Sequence, residues 1–194
     1  GVKRGKYDRN IPPAEPAYRE LIKTISRKYR LGIHPSWQSG DQGSEGTEVE
    51  LLKGIIDGKI SDSRQHFIRF KLPGTYRRLI EAGITDEHSM GYGSINGFRA
   101  SASFPFYWYD LENEKQTTLK LHPFCFMDAN SFFEEKQTAA EAREEMLAYY
   151  EKVKKVKGTF SCIWHNTFLG TDPLFSGWRQ AYREAAEFIS HHSL

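Results

Sequence analysis

The sequence predicts an α/β fold in which helices and strands alternate along a single domain, residues 1–194. Apolar residues recur at helical spacing in several segments, and short apolar runs of strand length stand between these segments. A length of 194 residues with 39% apolar and 27% charged residues fits one globular domain with a sizeable core. We therefore expect a parallel sheet with helices packed against it, forming an incomplete or distorted barrel.

The predicted elements follow from capping residues, glycines and apolar spacing. Strands are expected at 32–34, 60–70, 84–90 and 159–164, with a β-like aromatic region at 98–127. Helices are expected at 18–29, 49–57, 74–82, 139–157 and 178–189. Thr138 and Glu141 have the spacing of a capping box before the longest helix.

Three predicted strands carry a histidine at or near their carboxyl ends: His34, His66 and His165. The carboxyl ends of parallel strands converge on one face, so these residues can meet in space. A metal site for hydrolysis needs neutral imidazoles, usually with a carboxylate, and a position open to water. His34 and His66 are therefore candidate metal ligands, and a structural role for each histidine remains the alternative.

Other residues around these histidines have side chains suited to catalysis or binding. His165 lies between Trp164 and Asn166, suits a general acid or base, and Asn166 could hold its tautomer. Arg64 lies on the same strand face as His66, two residues away. Arg99 could orient a carboxylate or bind substrate, although a surface ion pair is the usual role of an arginine.

Aromatic side chains suggest a surface for sugar rings. Trp37, Trp164 and the cluster 104–109 could stack on carbohydrate, and packing in the core is the competing interpretation.

Composition excludes several classes of protein. A net charge of +2 does not indicate a nucleic-acid binder. Cys125 and Cys162 lie in apolar runs without metal-binding spacing, so both are expected to be reduced thiols. No apolar span reaches 18 residues, and the charged amino terminus has no apolar stretch after it. We therefore expect neither a membrane helix nor a signal peptide, and a cytoplasmic location.

Four motifs stand in order along the chain. They are Gly-Ile-His-Pro-Ser-Trp at 32–37, Ser-Arg-Gln-His-Phe at 63–67, Met-Gly-Tyr at 90–92 with Gly-Phe-Arg-Ala at 97–100, and Trp-His-Asn at 164–166. With these motifs the sequence resembles polysaccharide deacetylases of carbohydrate esterase family 4, and more closely a bacterial branch of deacetylase-like proteins. The resemblance implies a distorted (β/α) barrel and hydrolysis of acetyl groups on a carbohydrate, with a divalent metal, zinc, as cofactor.

The resemblance also implies roles for individual residues. His34 matches the first histidine of the family's metal-binding pair, whereas Gln38 stands at the second position. His66 is expected to supply the missing ligand from the neighbouring strand. Arg64 is similar to the arginine that orients the catalytic aspartate, and His165 to the late histidine that acts as general acid.

The amino-terminal region departs from the family, which begins with an aspartate-bearing strand. No such strand is predicted here, and Asp8 lies in a predicted loop and is not assigned a role. We therefore interpret the chain as the C-terminal part of a deacetylase-like protein, inactive or feeble alone. Its exposed sheet edge would be covered by a missing N-terminal segment or by a second copy in a homodimer. The alternatives are an inactive carbohydrate-binding relative and a fragment completed by another polypeptide.

Overall fold

The computed structural model describes residues 5–9 and 11–192 and has a mixed α/β architecture. Its contacts divide the chain into two compact units. The first unit runs up to Ser89 and includes Phe106–His122, and the second contains Met90–Pro105 and the chain from Pro123 onwards.

The first unit is built on a five-stranded sheet with the strand order β1-β2-β3-β5-β4. The strands are β1 Gly32–Ile33, β2 Asp62–Ser63, β3 Asp86–Glu87, β4 Phe106–Asp110 and β5 Lys115–Leu121. The helices are α1 Pro16–Ser26, α2 Ser39–Gln42, α3 Glu45–Ile56 and α4 Gly74–Glu81, with a 3₁₀ turn at His66–Ile68. Strands β1, β2, β3 and β5 are parallel, and β4 runs antiparallel to β5.

Apolar side chains from the sheet and from α3 and α4 form the core of the first unit. The buried apolar residues there are Val49, Ile55, Ile60, Tyr76, Leu79, Ile84, Trp108, Leu119 and Leu121. Arg78 on α4 donates to the fully buried Glu45 at the start of α3, at 2.9 and 3.1 Å. Because a buried carboxylate needs a partner, this ion pair fixes the position of α4 relative to the start of α3.

The second unit pairs two short parallel strands and packs helices against them. Its strands are β6 Phe126–Met127 and β7 Cys162–Ile163, and its helices are a π-helical turn at Asn130–Glu134, α5 Ala139–Lys155, a 3₁₀ turn at Pro173–Phe175 and α6 Trp178–His192. The buried apolar cluster consists of Phe126, Ala142, Met146, Phe168, Trp178 and Ala185. The predicted capping box of Thr138 and Glu141 is confirmed at the start of α5.

The predicted helices and strands are confirmed in position, but the parallel strands are shorter than expected. β2 has only two residues of the predicted 60–70, because the chain leaves the sheet at once for the turn at His66–Ile68. The sequence does not show where an extended segment leaves the sheet, so the predicted spans overestimate the lengths of the strands. The α/β class with a parallel sheet is confirmed, whereas the described residues form open sheets and no closed barrel.

Cys125 and Cys162 are free thiols, as predicted. Burial raises the pKa of Cys125 to about 12, so this thiol stays protonated and unreactive at neutral pH. Among the described residues, no helix has the length and apolar character needed to cross a membrane.

We expect an added methyl group to have opposite effects on stability at two glycines of the first unit. A Cβ on Gly32 in β1 would lie 2.9 Å from both the Cβ and the carbonyl oxygen of Asp62, whereas a Cβ on Gly54 in α3 would meet nothing within 4 Å. We expect Gly32→Ala to lower the free energy of unfolding by about 1–3 kcal/mol. Gly54→Ala, the matched control, should raise it by up to about 1 kcal/mol. Urea unfolding measures both, and equal effects would contradict the close approach of β1 and β2.

Candidate functional site

The parallel strands of the first unit bring four basic or potentially basic side chains into one row. The row consists of His34, Arg64, His88 and His122, each directly after a strand. Backbone hydrogen bonds join these positions to the neighbouring strands. The N–H groups of Arg64, His88 and His122 donate to the carbonyl oxygens of Ile33, Ser63 and Glu87, at 3.0, 2.8 and 2.8 Å, respectively. The row therefore marks the carboxyl edge of the sheet, with neighbouring positions about 4.8 Å apart.

The two predicted metal ligands lie in direct contact at this edge. His34 Nε2 lies 2.8 Å from His66 Nδ1, and the two rings meet edge to face. The far nitrogen of each ring contacts a backbone carbonyl: His34 Nδ1 lies 2.8 Å from the oxygen of Arg64, and His66 Nε2 lies 2.9 Å from the oxygen of Tyr7. The predicted meeting of these two side chains is thus present in the structure.

These contacts determine where the ring protons lie. A carbonyl oxygen only accepts, so both far nitrogens must carry the hydrogen. In the neutral rings, the two near nitrogens then direct their lone pairs at each other across 2.8 Å. Two lone pairs that face each other repel, and a divalent ion bound by both nitrogens would relieve this repulsion. Metal-bound histidines commonly donate their other N–H to a carbonyl, so this donor pair fits a divalent metal ion.

The described residues do not form a complete set of metal ligands. Within residues 5–9 and 11–192, no group of three or more His, Cys, Asp or Glu side chains is arranged to hold a metal ion. A catalytic zinc ion usually has three protein ligands. Gln38, where the resemblance expects a second histidine, is exposed at the start of α2.

Arg64 lies beside the histidine pair and is partly buried. Its Nε donates to the carbonyl oxygen of His88 at 3.3 Å, and its own carbonyl oxygen accepts from His34. The arginine thus connects β2 with the end of β3.

Trp37, predicted to bind substrate, lies in an aromatic and basic cluster next to the histidine pair. Its ring stacks on Tyr7 with centroids 4.7 Å apart, and the guanidinium of Arg69 lies 3.7 Å from its centroid. Asp8 accepts from the backbone N–H of Trp37 at 3.0 Å. Sequence reasoning missed these contacts of Tyr7 and Asp8, because a polar loop gives no periodic pattern that indicates its packing.

A network of five charged or polar residues covers one face of the sheet, and sequence reasoning missed it. Arg30 contacts Asp62 at 2.7 Å and Asp86 at 3.1 Å. His88 Nε2 lies 3.0 Å from Asp62, and His122 Nε2 lies 2.7 Å from Asp86. The two imidazoles stack with centroids 4.5 Å apart. Burial lowers the pKa of His88, which favours the neutral ring.

The second unit places His165 on a buried carboxylate, Asp128. The backbone N–H of His165 donates to Asp128 Oδ2 at 2.6 Å, and its ring Nδ1 lies 2.6 Å from Oδ1. Asp128 directly follows β6 and is fully buried, whereas the His165 side chain is 42% exposed. The carboxylate assigns the proton to Nδ1, leaving Nε2 to exchange a proton with a substrate.

The tautomer of His165 is therefore determined by Asp128, and not by Asn166 as the sequence suggested. Asn166 is exposed in the turn after His165. Trp164 packs against Phe126 and Trp178, and its indole Nε1 is buried without a hydrogen-bond partner among the described residues. This packing matches the core interpretation that competed with sugar stacking.

Arg99 is exposed in the second unit. Its Nη1 donates to the carbonyl oxygen of Gly91 at 3.2 Å, which connects the two parts of the third motif. The predicted role of Arg99 in substrate binding stays a prediction.

Comparison with known proteins relates this geometry to a fold. No family model and no curated protein matches the sequence. A solved structure from Mycobacterium smegmatis, assigned as a polysaccharide deacetylase, matches 91% of this chain with a TM-score of 0.63 and 16% identity. A second, from Pseudomonas aeruginosa PAO1 with the same assignment, matches 90% with a TM-score of 0.64 and 12% identity.

The chain has a deacetylase-like fold. It spans 62% and 58% of the length of the two matched structures, so the comparison covers only part of each of those proteins. At 12% and 16% identity the likeness concerns the fold, and the chemistry has to be argued from the side chains.

Sequence reasoning missed Asp128. It follows the apolar run 124–127 in the same way that His165 follows the apolar residues of β7. The position of this carboxylate directly after an apolar run could have indicated a functional role. However, Asp128 lies at the end of a region that was predicted only as β-like.

The Asp128–His165 contact predicts a defined tautomer. We expect ¹⁵N NMR of the neutral ring to show the proton on Nδ1 of His165. Asp128→Ala should remove this preference, because the acceptor is lost. Asp172→Ala, which removes a carboxylate that caps the turn Pro173–Phe175, serves as the control and should leave the tautomer unchanged. An unchanged His165 spectrum in folded Asp128→Ala would contradict the assignment.

Glu87 predicts a pH dependence of stability. It is fully buried, and burial raises its pKa to about 7 despite hydrogen bonds from Ser89. Because the folded state holds this proton more tightly than the unfolded state, the stabilisation is present at low pH and is lost as the pH rises through about 7.

The variant Glu87→Gln has no ionisable group at this position, so comparison with the wild type isolates the contribution of Glu87 ionisation to stability. Between about pH 5 and about pH 8 we expect the wild type to lose roughly 2–3 kcal/mol of unfolding free energy relative to Glu87→Gln. Urea unfolding at both pH values measures the difference. A difference that does not change with pH would contradict the raised pKa.

Proposed function

We propose that the protein from which this chain comes removes acetyl groups from a carbohydrate in a metal-dependent hydrolysis. The observation that carries the proposal is the contact of His34 and His66, in which two lone pairs face each other and both outer nitrogens donate to carbonyl oxygens. This arrangement calls for a cation. The deacetylase-like fold supports acetylated sugar as the substrate class.

In the first unit, His34 and His66 would hold a divalent ion, and zinc suits two neutral imidazoles. Such an ion supplies Lewis acidity toward a carbonyl oxygen. The carbonyls of Arg64 and Tyr7 orient the rings by accepting their outer protons. Exposed aromatic surface on Tyr7 and Phe67, beside Trp37, offers a face for a sugar ring.

In the second unit, His165 is suited to proton transfer. With Nδ1–H bound to Asp128, its Nε2 can accept a proton and then donate it to a leaving amine or alcohol. The buried carboxylate stabilises the imidazolium form that carries this proton. Arg64 and Arg99 are proposed to orient a carboxylate and bind substrate, respectively.

The described residues alone should support little catalysis. Two imidazoles hold zinc less tightly than three ligands do, and residues 5–9 and 11–192 show no third His, Cys, Asp or Glu side chain arranged with them. Strand β1 stands at one end of the strand order in the first unit. We propose that an N-terminal segment or a second copy pairs with this edge.

Carbohydrate binding without catalysis is the second candidate function. The exposed Tyr7 and Phe67 around Trp37 favour it, because stacking on sugar needs aromatic faces and no metal. Selective glycan binding that persists in the presence of a chelator would support this reading over hydrolysis.

Calorimetric titration with zinc tests the metal pair. We expect wild type to bind one zinc ion, and His34→Ala and His66→Ala each to weaken binding by at least about tenfold, because each removes one of the two ligands. His191→Ala, at the exposed end of α6, is the matched control and should bind as wild type does. Binding that is indifferent to both substitutions, or absent in the wild type, would overturn the metal assignment and favour the binding function.

A further inference from the structure

A buried chain of hydrogen bonds connects the turn after β2 with Ser89 and Glu87 at the end of β3. The backbone N–H of Gln65, in the motif 63–67, donates to Ser89 Oγ at 2.8 Å. Ser89 immediately precedes the motif that begins at Met90. The side chain of Gln65 donates to Ser63 Oγ at 2.8 Å, so the same turn is held from both sides.

The chain ends on the carboxylate of Glu87. Ser89 donates its hydroxyl to Glu87 Oε1 and its backbone N–H to Oε2, the latter at 2.9 Å. Tyr76 Oη lies 3.4 Å from Oε2. The Ser89 hydroxyl therefore accepts from Gln65 and donates to Glu87, and each hydrogen bond polarises the next.

This chain is closed to solvent. Glu87 and Ser89 have no exposed surface, and Gln65 and Ser63 are 1% exposed. Water cannot readily replace a missing member, so loss of the Ser89 hydroxyl would leave the Gln65 N–H buried without its acceptor.

The residues after Gln65 need such support. Phe67 and Ile68 have φ angles of 55° and 54°, a left-handed conformation that bulky or β-branched side chains rarely adopt. Strained backbone of this kind persists only where its surroundings hold it. His66 lies between this strained pair and the buried Gln65, so the direction of its ring depends on both.

We propose that Glu87 and Ser89 are positioning residues for His66. They hold the turn that directs His66 Nδ1 at His34. This inference rests on the proposed metal-binding function of the histidine pair and assigns the orientation of one ligand to a buried carboxylate two strands away from His34.

Ser89→Ala tests the proposal with Ser131→Ala as its matched control. Ser131 is also fully buried and accepts a hydrogen bond from Asn96 at 2.8 Å, but it lies in the second unit. We expect Ser89→Ala to weaken zinc binding by about tenfold and Ser131→Ala to leave it unchanged. Hydrogen exchange should be faster at the Gln65 amide in Ser89→Ala than in the wild type, and unchanged there in Ser131→Ala.

The two readouts separate this inference from the proposed function. Faster exchange at Gln65 with unchanged zinc affinity would overturn the positioning role, as would unchanged exchange. Equal loss of affinity in both variants would mean a general effect of destabilisation and would overturn it too. If the wild type binds no zinc, the metal function fails, while exchange at Gln65 and His66 still decides whether Ser89 holds the turn.

Discussion

The parallel register of β1, β2, β3 and β5 is the constraint on which the first unit depends. It aligns the residues at the ends of the strands, so that His34, Arg64, His88 and His122 share one edge. Parallel pairing repeats this alignment from strand to strand, and a shift by one residue would turn each of these side chains to the opposite face of the sheet. The hydrogen bonds between the parallel strands therefore determine which side chains lie together at the carboxyl edge of the sheet.

Each unit orients a histidine from a fully buried carboxylate. Asp128 does so directly, by accepting from both the backbone and the ring of His165. Glu87 acts through Ser89 and the backbone of Gln65 on the turn that carries His66. Burial makes each carboxylate costly to leave without donors, so the surrounding donors are held in place.

Sequence reasoning found the histidines and not their partners. His34, His66 and His165 stand out because each lies in a recognisable motif. Asp128 and Glu87 stand in or next to short strands within regions predicted as β, where a carboxylate resembles any solvent-facing residue. Tyr7 contacts His66 across 59 positions, and such a contact depends on loop packing that has no periodicity to read. The expected incomplete or distorted barrel is not confirmed, because the described strands form open sheets and local patterns do not specify which strands meet.

The sequence by itself determined the order of helices and strands, the capped start of α5 and the two free thiols. These follow from local spacing, capping and composition, which act between residues close in the chain. The tertiary structure decided the contact of His34 with His66, the tautomer that Asp128 assigns to His165 and the division into two units. These depend on register and burial between distant segments, and only the folded chain brings such segments within hydrogen-bond distance.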